Sequence, residues 1–472
     1  MCNMTESIYK ITETVRNYYH IDSKSLFTLE TLPATELIVP QRLDVLIKVY
    51  YVEAKVKGYN MEFAKELYSK HINSITRFTN SENGQKEKNN IEAFIDVFDK
   101  LIESFSKEGF NDVISLIPVS SDGIILDGAH RLACAIYFKK NVSVIRFDHI
   151  KQGNTYPPGI YDYNYFKNYL LEQKYLDVAV QTYLRYAPKN IYIACIWPVV
   201  GNTEKRDFAI QRIAEKHPVI ARKDISLSFF SFDRFVSQVY MHDDWVGNIE
   251  NNFSGSQGKS KLTFKENSPC SFLLFEGCGK EDTLRLKDEV RAIFNIDKHS
   301  VHMTDNTEQT KFIVDIVFNN NSILFLKHAN PGKYVRDIRK LYNMNNGAMY
   351  GIDASKAVWG LESLKAEDIF LRKETLKDDI SLEGLSYIPD THFYYLGMKM
   401  FMPEKNIVQK YLKDVENGTL LSFNYLRSRK FDNIKYKFRI LSHNLKSDIY
   451  TVVIKYPGLM TLLKKIKKVV NR

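Results

Sequence analysis

The sequence predicts a mixed α/β (α+β) protein with more than one domain. Apolar residues recur at helical spacing over much of residues 5–106, and short strand-like runs follow after residue 110. From residue 190 to about residue 326, strand-like and helical segments alternate. A chain of 472 residues in which 44% are hydrophobic exceeds what one core needs, so we expect two or three domains.

The first part of the chain is predicted to be mainly helical. Apolar positions predict helices over residues 5–30, 43–76 and 91–106, and residues 80–90 form a polar loop. The next segments are predicted to be a β-rich pair at 113–119 and 123–126, a helix at 129–139 and a strand at 142–147. A segment rich in Gly, Pro and Tyr at 152–163 is the best candidate for a linker.

The second part is predicted to begin with a strand at 190–196. The segments expected after it are a helix at 204–216, a polar loop at 251–261, a strand at 271–276, a helix at 280–294, a strand at 300–303, a helix at 308–318 and a strand at 322–326. We therefore divide the chain into domains at 1–150, 165–330 and 331–456, with a tail at 457–472.

Composition excludes a disordered or collagen-like chain, since Pro and Gly number only 13 and 21. The five cysteines include no pair with CxxC spacing, and the N-terminus lacks an apolar segment behind a basic start. No run approaches the roughly 18 apolar residues of a membrane-spanning helix. A cytoplasmic location is therefore expected.

The formal charge of +10 is concentrated at the end of the chain. Residues 457–472 carry five basic and no acidic side chains, and their leucines, isoleucine and valines recur at helical spacing. This basic amphipathic helix either lies on an anionic membrane surface, making the protein peripheral, or docks on the protein itself. Nucleic acid is a less favoured partner, because no aromatic residue alternates with the lysines.

The most informative stretch is the turn between the strand-like run at 123–126 and the helix at 129–139. Asp127 and Gly128 precede a helix whose first turn contains His130 and Arg131. Free N–H groups and the positive end of the helix dipole favour an anion there, and both side chains add to this preference. Asp127 can cap the helix or bind a metal ion or proton. The alternative is an ordinary turn with a solvated helix start.

This stretch resembles the ParB/sulfiredoxin-like superfamily, in which a strand, a DGxHR-type turn and a short helix bind nucleotide phosphates. The segment VPQRLDVL at 39–46 is similar to the opening segment of that family, and the resemblance covers residues 35–148. Sulfiredoxins have a cysteine where this chain has Ala129. DNA-partitioning ParB proteins have paired arginines, but Leu132 follows Arg131, and no helix-turn-helix pattern is evident. The stretch most closely resembles the free-serine-kinase branch, whose turn reads DGxHR and which phosphorylates a small hydroxyl compound.

The resemblance implies phosphoryl transfer from ATP or another nucleoside phosphate with Mg²⁺. Gly128, Ala129, His130 and Arg131 would hold the phosphates, with Arg42 as a further ligand. Asp127 would lie near the reacting oxygens as a catalytic and metal-binding residue, together with His130. Transfer to a hydroxyl also needs a base, for which the preceding helix offers Asp44 and Glu53. The alternative for these two carboxylates is a solvated helix face.

Three features of the second part are less specific. Residues 255–261 (GSQGKSK) lack P-loop spacing and are interpreted as a flexible basic loop. His299 and His302 are placed on a strand with their side chains on opposite faces, which disfavours a shared metal ion.

Residues 351–371 resemble the nucleotidyltransferase superfamily, with Ser355 at a helix start and Glu367 and Asp368 as metal-binding carboxylates on a strand. Adjacent residues of a strand face opposite sides, so a degenerate, substrate-holding domain is the better interpretation.

Three functions remain open at this stage. The first is a nucleotide-dependent phosphotransferase that acts on a hydroxyl of a small molecule or sugar. Its basic tail also makes it similar to enzymes of bacterial surface-polysaccharide biosynthesis, whose acceptors are lipid-linked. The second is a nucleotide-switched DNA-binding protein of the ParB type. The third is nucleotidyl transfer by the C-terminal region.

Overall fold

The computed structural model describes residues 4–58, 61–81, 87–111, 115–151, 159–241, 243–247 and 254–327, and the backbone of five strands between residues 349 and 401. Within these residues, three β-sheets and a larger number of helices make up a mixed α/β protein, as predicted. The predicted tail helix at 457–472 lies outside the described residues, as do Ser355 and Glu367.

The N-terminal segment contains two short helices and a strand where one helix was predicted over residues 5–30. These elements are α1 (Met4–Tyr9), α2 (Glu13–Tyr18) and β1 (Thr28–Pro33). A turn in which Asp22 accepts a hydrogen bond from the Lys24 amide precedes β1. The single-helix prediction was wrong because β1 is stabilised by backbone pairing with a strand more than 100 residues away, which local periodicity does not record.

Three longer helices follow: α3 (Leu43–Lys57), α4 (Met61–Ile75) and α5 (Ile91–Glu108). The helical pattern predicted over 43–76 is therefore two helices, which Gly58 separates by adopting a left-handed conformation with φ of 69°. Every residue of α3 from Leu43 to Ala54 is buried, including the charged residues Asp44 and Lys48. A helix that is buried on all sides belongs to the core, and α3 is the central element of the first part.

The segment around the DGxHR turn forms β2 (Ile117–Ser120), α6 (Ala129–Tyr137) and β3 (Asn141–Phe147). The three-stranded sheet has the order β1-β3-β2, with β3 antiparallel to β1 and parallel to β2. The helix and the strand β3 were predicted. The predicted strand at 123–126 is only a single bridge between Val119 and Ile125, because the chain turns at Gly123 (φ 82°) and ends its pairing at Leu126.

The predicted linker leads directly into packed structure. Its residues 152–158 are not described, but Tyr161 exchanges backbone hydrogen bonds with Gln41 (2.7 Å) and Leu43 (3.0 Å) at the start of α3. The next helices are α7 (Tyr163–Asn168) and α8 (Gln173–Tyr186). Helix α8 packs on α3, and one hydrophobic cluster continues from Ala34 to Leu326.

The second part is built around a four-stranded antiparallel sheet with the order β5-β6-β4-β7. Its elements are β4 (Ile191–Ile196), α9 (Thr203–Ala214), β5 (Val219–Ile225), α10 (Phe229–Val239), α11 (Ser256–Thr263), β6 (Cys270–Glu276), α12 (Lys280–Phe294), β7 (Val301–Met303), α13 (Thr307–Val317) and α14 (Asn320–Lys327). Asn306 caps α13 by accepting a hydrogen bond from the Gln309 amide.

Two segments of this part differ from their predictions. Residues 255–261 were expected to be a flexible loop, but residues 256–263 form α11. Its small side chains allow close packing on α10, with a 2.6 Å hydrogen bond between Ser237 and Ser256. Residues 322–326, expected to be a strand, belong to α14. Asn319 starts that helix by accepting a hydrogen bond from the Ser322 amide. A short apolar run does not by itself distinguish a buried strand from a buried helix.

The remaining described strands form a five-stranded sheet with the order β11-β12-β10-β8-β9. They are β8 (Met349–Asp353), β9 (Lys356–Trp359), β10 (Asp368–Leu371), β11 (His392–Tyr395) and β12 (Met398–Phe401). Strands β8 and β9 pair antiparallel, so a strand follows Ser355 where the nucleotidyltransferase resemblance implied a helix. Asp368 begins the central strand β10, as that resemblance implied.

Candidate functional site

The predicted turn is formed by Gly128, which has a left-handed backbone (φ 86°) and stands at the N-cap of α6. No side chain of the described residues caps this helix, so the predicted capping role of Asp127 is wrong. The Asp127 carboxylate instead lies 3.8 Å from the Arg131 guanidinium and accepts a hydrogen bond from Thr12 (3.3 Å). The first N–H groups of α6 therefore have neither an intrahelical partner nor a side-chain cap.

The Arg131 side chain lies across the backbone of Gly128. A methyl group at position 128 would be 2.9 Å from Nη2 of Arg131, which is closer than carbon and nitrogen normally approach. Nη1 of Arg131 also donates a hydrogen bond to the Leu116 carbonyl at 3.4 Å. The guanidinium is thus held beside the free amides at the start of the helix, and its side chain remains 22% exposed.

The His130 imidazole points away from Arg131, toward helices α4 and α5. Its Nε2 atom shares a 2.7 Å hydrogen bond with the Tyr68 hydroxyl, and its ring meets the Phe98 ring edge-on at a centroid distance of 4.6 Å. Burial, followed by the charges of Lys48 and Lys88, lowers the pKa of His130 well below its usual value. His130 is therefore neutral at pH 7 and can exchange a proton or a hydrogen bond, but it adds no positive charge.

Behind the turn lies a buried chain of charged and polar side chains. Arg42 donates two hydrogen bonds to Asp44 (2.8 and 3.0 Å) and a third to the Ile125 carbonyl. Nζ of Lys48 lies 2.8 Å from Oδ2 of Asp44, an oxygen that it shares with Arg42, and 3.3 Å from Nε2 of His71. These groups connect the start of α3 to the backbone just before Asp127.

This arrangement does not suit the predicted roles of Arg42 as a phosphate ligand and Asp44 as a base. Burial alone would raise the pKa of Asp44, but the charges of Arg42 and Lys48 outweigh it and hold that pKa far below its ordinary range. Asp44 thus stays ionised with both oxygens engaged, which does not suit a general base. Arg42 is only 4% exposed, so its guanidinium supports the strand end instead of facing the open side of the turn.

The structure does not bring Glu53 to the turn. Glu53 lies nine residues after Asp44 on α3, which corresponds to about 13 Å along a helix. It forms ion pairs with Lys57 and Arg185, each at 3.0 Å, and lines a depression with residues 135–141 at the C-terminal end of α6. Its predicted role as a base at this turn is therefore wrong, because helical spacing predicts a face of α3 but not which end of α6 that face meets.

Several side chains around the turn could not be assigned to it from the sequence. Lys48, Tyr68, His71, Lys88 and Phe98 come from three different helices or the loop before α5. The spacing of Asp44 and Lys48 by four residues was the one local signal of their contact. Within the described part of the chain, the turn and its supporting residues combine four cationic side chains (Arg42, Lys48, Lys88 and Arg131) with two carboxylates (Asp44 and Asp127). An excess of positive charge therefore surrounds the start of α6.

His299 and His302 lie around a separate cavity of about 1120 Å³. His302 is on β7 as predicted, but His299 ends a 3₁₀ turn, so the placement of both on one strand was wrong. Burial, with Lys287 and Lys259 nearby, lowers the pKa of His302 to about 3. The cavity also contains aromatic side chains, including Tyr240, whose ring lies 5.0 Å from that of His302.

Comparison with protein-family models, with curated proteins and with solved structures finds no match for this chain. Among the helices that the structure describes, none is both long enough and apolar enough to cross a membrane.

Proposed function

We propose that the turn at 127–131 binds the phosphates of a nucleotide and that the chain is a phosphotransferase acting on a hydroxyl of a small molecule or sugar. The observation that carries the proposal is the uncapped start of α6, beside which Arg131 is held by contacts with Gly128 and Leu116. Free amides at a helix start and a guanidinium are the groups that bind phosphate most effectively in proteins. The surrounding excess of positive charge supports the same ligand.

Different residues of the turn bind the phosphates and take part in the chemistry. The amides of Ala129 and His130, together with Arg131, hold phosphate oxygens. Asp127 is 29% exposed and is the carboxylate of the turn, so it is the residue that would hold Mg²⁺ or accept the proton of the acceptor hydroxyl. Mg²⁺ would supply neutralisation of the phosphate charge. Neutral His130 donates or accepts a hydrogen bond and is kept in place by Tyr68.

The role of Arg131 is tested by nucleotide binding. Arg131→Ala should weaken the binding of ATP with Mg²⁺ by about tenfold or more, since a hydrogen bond to a charged group contributes about 1.5–3 kcal/mol. Lys140→Ala is the matched control, because Lys140 is an exposed cation just beyond the other end of α6. It removes the same charge and should change the dissociation constant by less than about twofold. Isothermal titration calorimetry on the full chain measures both values.

Two outcomes would overturn this assignment: equal affinity for ATP in both variants, or no binding of millimolar ATP by the unsubstituted chain. Phosphate release from ATP, and its loss in Asp127→Asn, then separates a phosphotransferase from a protein that only binds nucleotide. Nucleotide binding without phosphate release, together with binding of duplex DNA that falls steeply with salt, would favour the ParB-type alternative.

A glycine substitution tests the close approach of Arg131 to the backbone. Gly128→Ala should weaken ATP binding by about tenfold, because the added methyl displaces the guanidinium and the left-handed backbone costs about 1–2 kcal/mol. Gly123→Ala is the control: it has a similar φ (82°) but nothing within 4 Å of the new methyl. Both variants should lose a similar amount of stability in urea, whereas only Gly128→Ala should lose affinity. Equal affinities would contradict the proposed geometry.

The acceptor and the site of action are proposed from the sequence alone. A lipid-linked acceptor in bacterial surface-polysaccharide biosynthesis would agree with a basic helix at 457–472 that contacts an anionic membrane. Nucleotidyl transfer through Glu367 and Asp368 remains the alternative for the C-terminal region. Both stay predictions from the sequence, because their decisive side chains lie outside the described residues.

A further inference from the structure

A second cluster of reactive side chains lies in the four-stranded sheet region, away from the turn at 127–131. His217 stands between α9 and β5, Cys278 lies in the loop after β6, and Asp282 belongs to the first turn of α12. One nitrogen, sulfur or oxygen atom from each of them lies within 4.8 Å of the other two. Nε2 of His217 and Oδ2 of Asp282 are 3.2 Å apart.

These separations suit three ligands of one metal ion. Zinc binds nitrogen and oxygen at about 2.0–2.2 Å and sulfur at about 2.3 Å, so tetrahedral ligands are about 3.3–3.6 Å from one another. The 3.2 Å between Nε2 and Oδ2 is close to this range. The Cys278 sulfur lies within 4.8 Å of both ligand atoms, so a small rotation of its side chain brings it into the range. The donor set of imidazole, thiolate and carboxylate is one that zinc accepts and that Mg²⁺ does not favour.

The hydrogen bonding of Asp282 gives an independent reason to expect a ligand. Its Oδ2 atom is buried and has no hydrogen-bond partner among the described residues. His217 lies within ion-pair distance, but its geometry does not make a hydrogen bond to that oxygen, and its side chain is only 5% exposed. A buried carboxylate oxygen without a partner is costly, and a cation between Oδ2 and Nε2 would satisfy both atoms.

The backbone around Cys278 is held in a fixed shape. Gly279 has φ of 142° and ψ of 176°, a conformation that essentially only glycine adopts. A methyl group at Gly277 would lie 2.6 Å from the Tyr192 ring, and the Gly277 amide donates a 2.9 Å hydrogen bond to the Asn190 carbonyl. The two glycines therefore let the chain pass close to β4 and present the exposed thiol of Cys278 beside His217.

We propose that His217, Cys278 and Asp282 bind a divalent transition metal, with Zn²⁺ as the best chemical fit. Three protein ligands leave a fourth tetrahedral position, which faces solvent on the side of exposed Cys278. Water or a small ligand can occupy that position. The metal binds the deprotonated sulfur of Cys278.

The site is tested on the full chain, without a histidine tag, after treatment with EDTA. Cobalt(II) is the probe, because a thiolate bound to Co²⁺ gives a charge-transfer band in the near ultraviolet, and competition with Zn²⁺ then gives the zinc affinity. We expect one equivalent of Co²⁺ with that band. Cys278→Ser should abolish the band, and His217→Gln should weaken zinc binding by about tenfold or more. Asp288→Asn is the control on the same helix, since that carboxylate is 77% exposed and outside the cluster.

The result that overturns the proposal is a chain that binds no Co²⁺, or a charge-transfer band that persists in Cys278→Ser. Far-ultraviolet circular dichroism of each variant in EDTA controls for folding. If His217→Gln does not fold, Cys278→Ser still decides the question, because Cys278 is exposed and its hydroxyl replacement fills nearly the same space.

Discussion

Replacing Asp44 by asparagine is expected to lower the free energy of unfolding by about 3–5 kcal/mol, the largest effect among the substitutions considered. Asp44 is 1% exposed and is the carboxylate between Arg42 and Lys48, both of which are also buried. An asparagine fills the same space but leaves two buried cations without a compensating charge. Urea denaturation at pH 7.5, followed by circular dichroism, measures the difference.

Asp99→Asn is the matched control for this experiment. Asp99 also accepts hydrogen bonds from two side chains, the hydroxyl of Tyr51 (2.8 Å) and the ammonium of Lys55 (2.7 Å). Because Asp99 and Lys55 are 19% and 32% exposed, water compensates for the lost charge, and we expect a loss of about 1 kcal/mol. If both variants lose the same free energy of unfolding, burial does not determine how much Asp44 contributes to stability.

Acid is expected to destabilise the folded chain between pH 7.5 and pH 5.5, well above the range in which carboxylates titrate. Burial, together with nearby lysines, lowers the pKa of His71, His130 and His302. In the unfolded chain these histidines bind protons below about pH 6.5, whereas in the folded chain they stay neutral. Stability is therefore fully present above pH 6.5 and falls as the pH decreases toward the lowered pKa values.

His71 allows the size of this effect to be measured. It is fully buried, so it contributes up to about 1.4 kcal/mol to the free energy of unfolding for each pH unit below 6.5. His71→Gln keeps an acceptor for Lys48 but does not titrate, and it should reduce the pH dependence by that amount. His149→Gln, at an exposed histidine, should leave the dependence unchanged. A series of urea titrations at five pH values tests both.

Buried carboxylates do not affect the difference in pH dependence between the unsubstituted chain and His71→Gln. The pKa of Asp44 lies so far below its ordinary range that its contribution is lost only in strong acid. Burial raises the pKa of Asp177 and Asp233, which acts in the opposite direction from the histidines. Because both aspartates are present in the unsubstituted chain and in His71→Gln, their contribution cancels in the difference. An identical pH dependence in the two proteins would contradict the burial of a neutral His71.

Elements with strong local signals were predicted closely from the sequence. Helix α12 has the predicted bounds of residues 280–294, and β4 and β3 differ from prediction by one residue or less. Each has a clear hydrophobic pattern, and α12 begins after Gly279. The segments β1, α11 and α14 were predicted with the wrong type of structure, because each depends on pairing or packing with distant residues.

The residues of the candidate site also fall into those that the local sequence predicts and those that only tertiary contacts place. Asp127, Gly128, His130 and Arg131 are adjacent in sequence, so their common place at the start of a helix follows from the local pattern. Glu53 was assigned to the wrong end of α6, since nothing in the spacing of α3 indicates how the two helices are positioned along each other. Tyr68 and Phe98 lie on the apolar faces of their helices, where aromatic residues ordinarily indicate only core packing.

The sequence alone determined the class of the fold, the turn at Gly128 that precedes a helix, and the types of residue that the turn carries. These depend on hydrogen bonds and backbone angles within a few residues, which composition and spacing record directly. Only the tertiary structure decided that Asp44 is a buried counterion and not a base, that His130 is neutral, and that His217 meets Cys278 and Asp282. Such properties arise from burial and from distances between residues far apart in the chain, and no local pattern contains them.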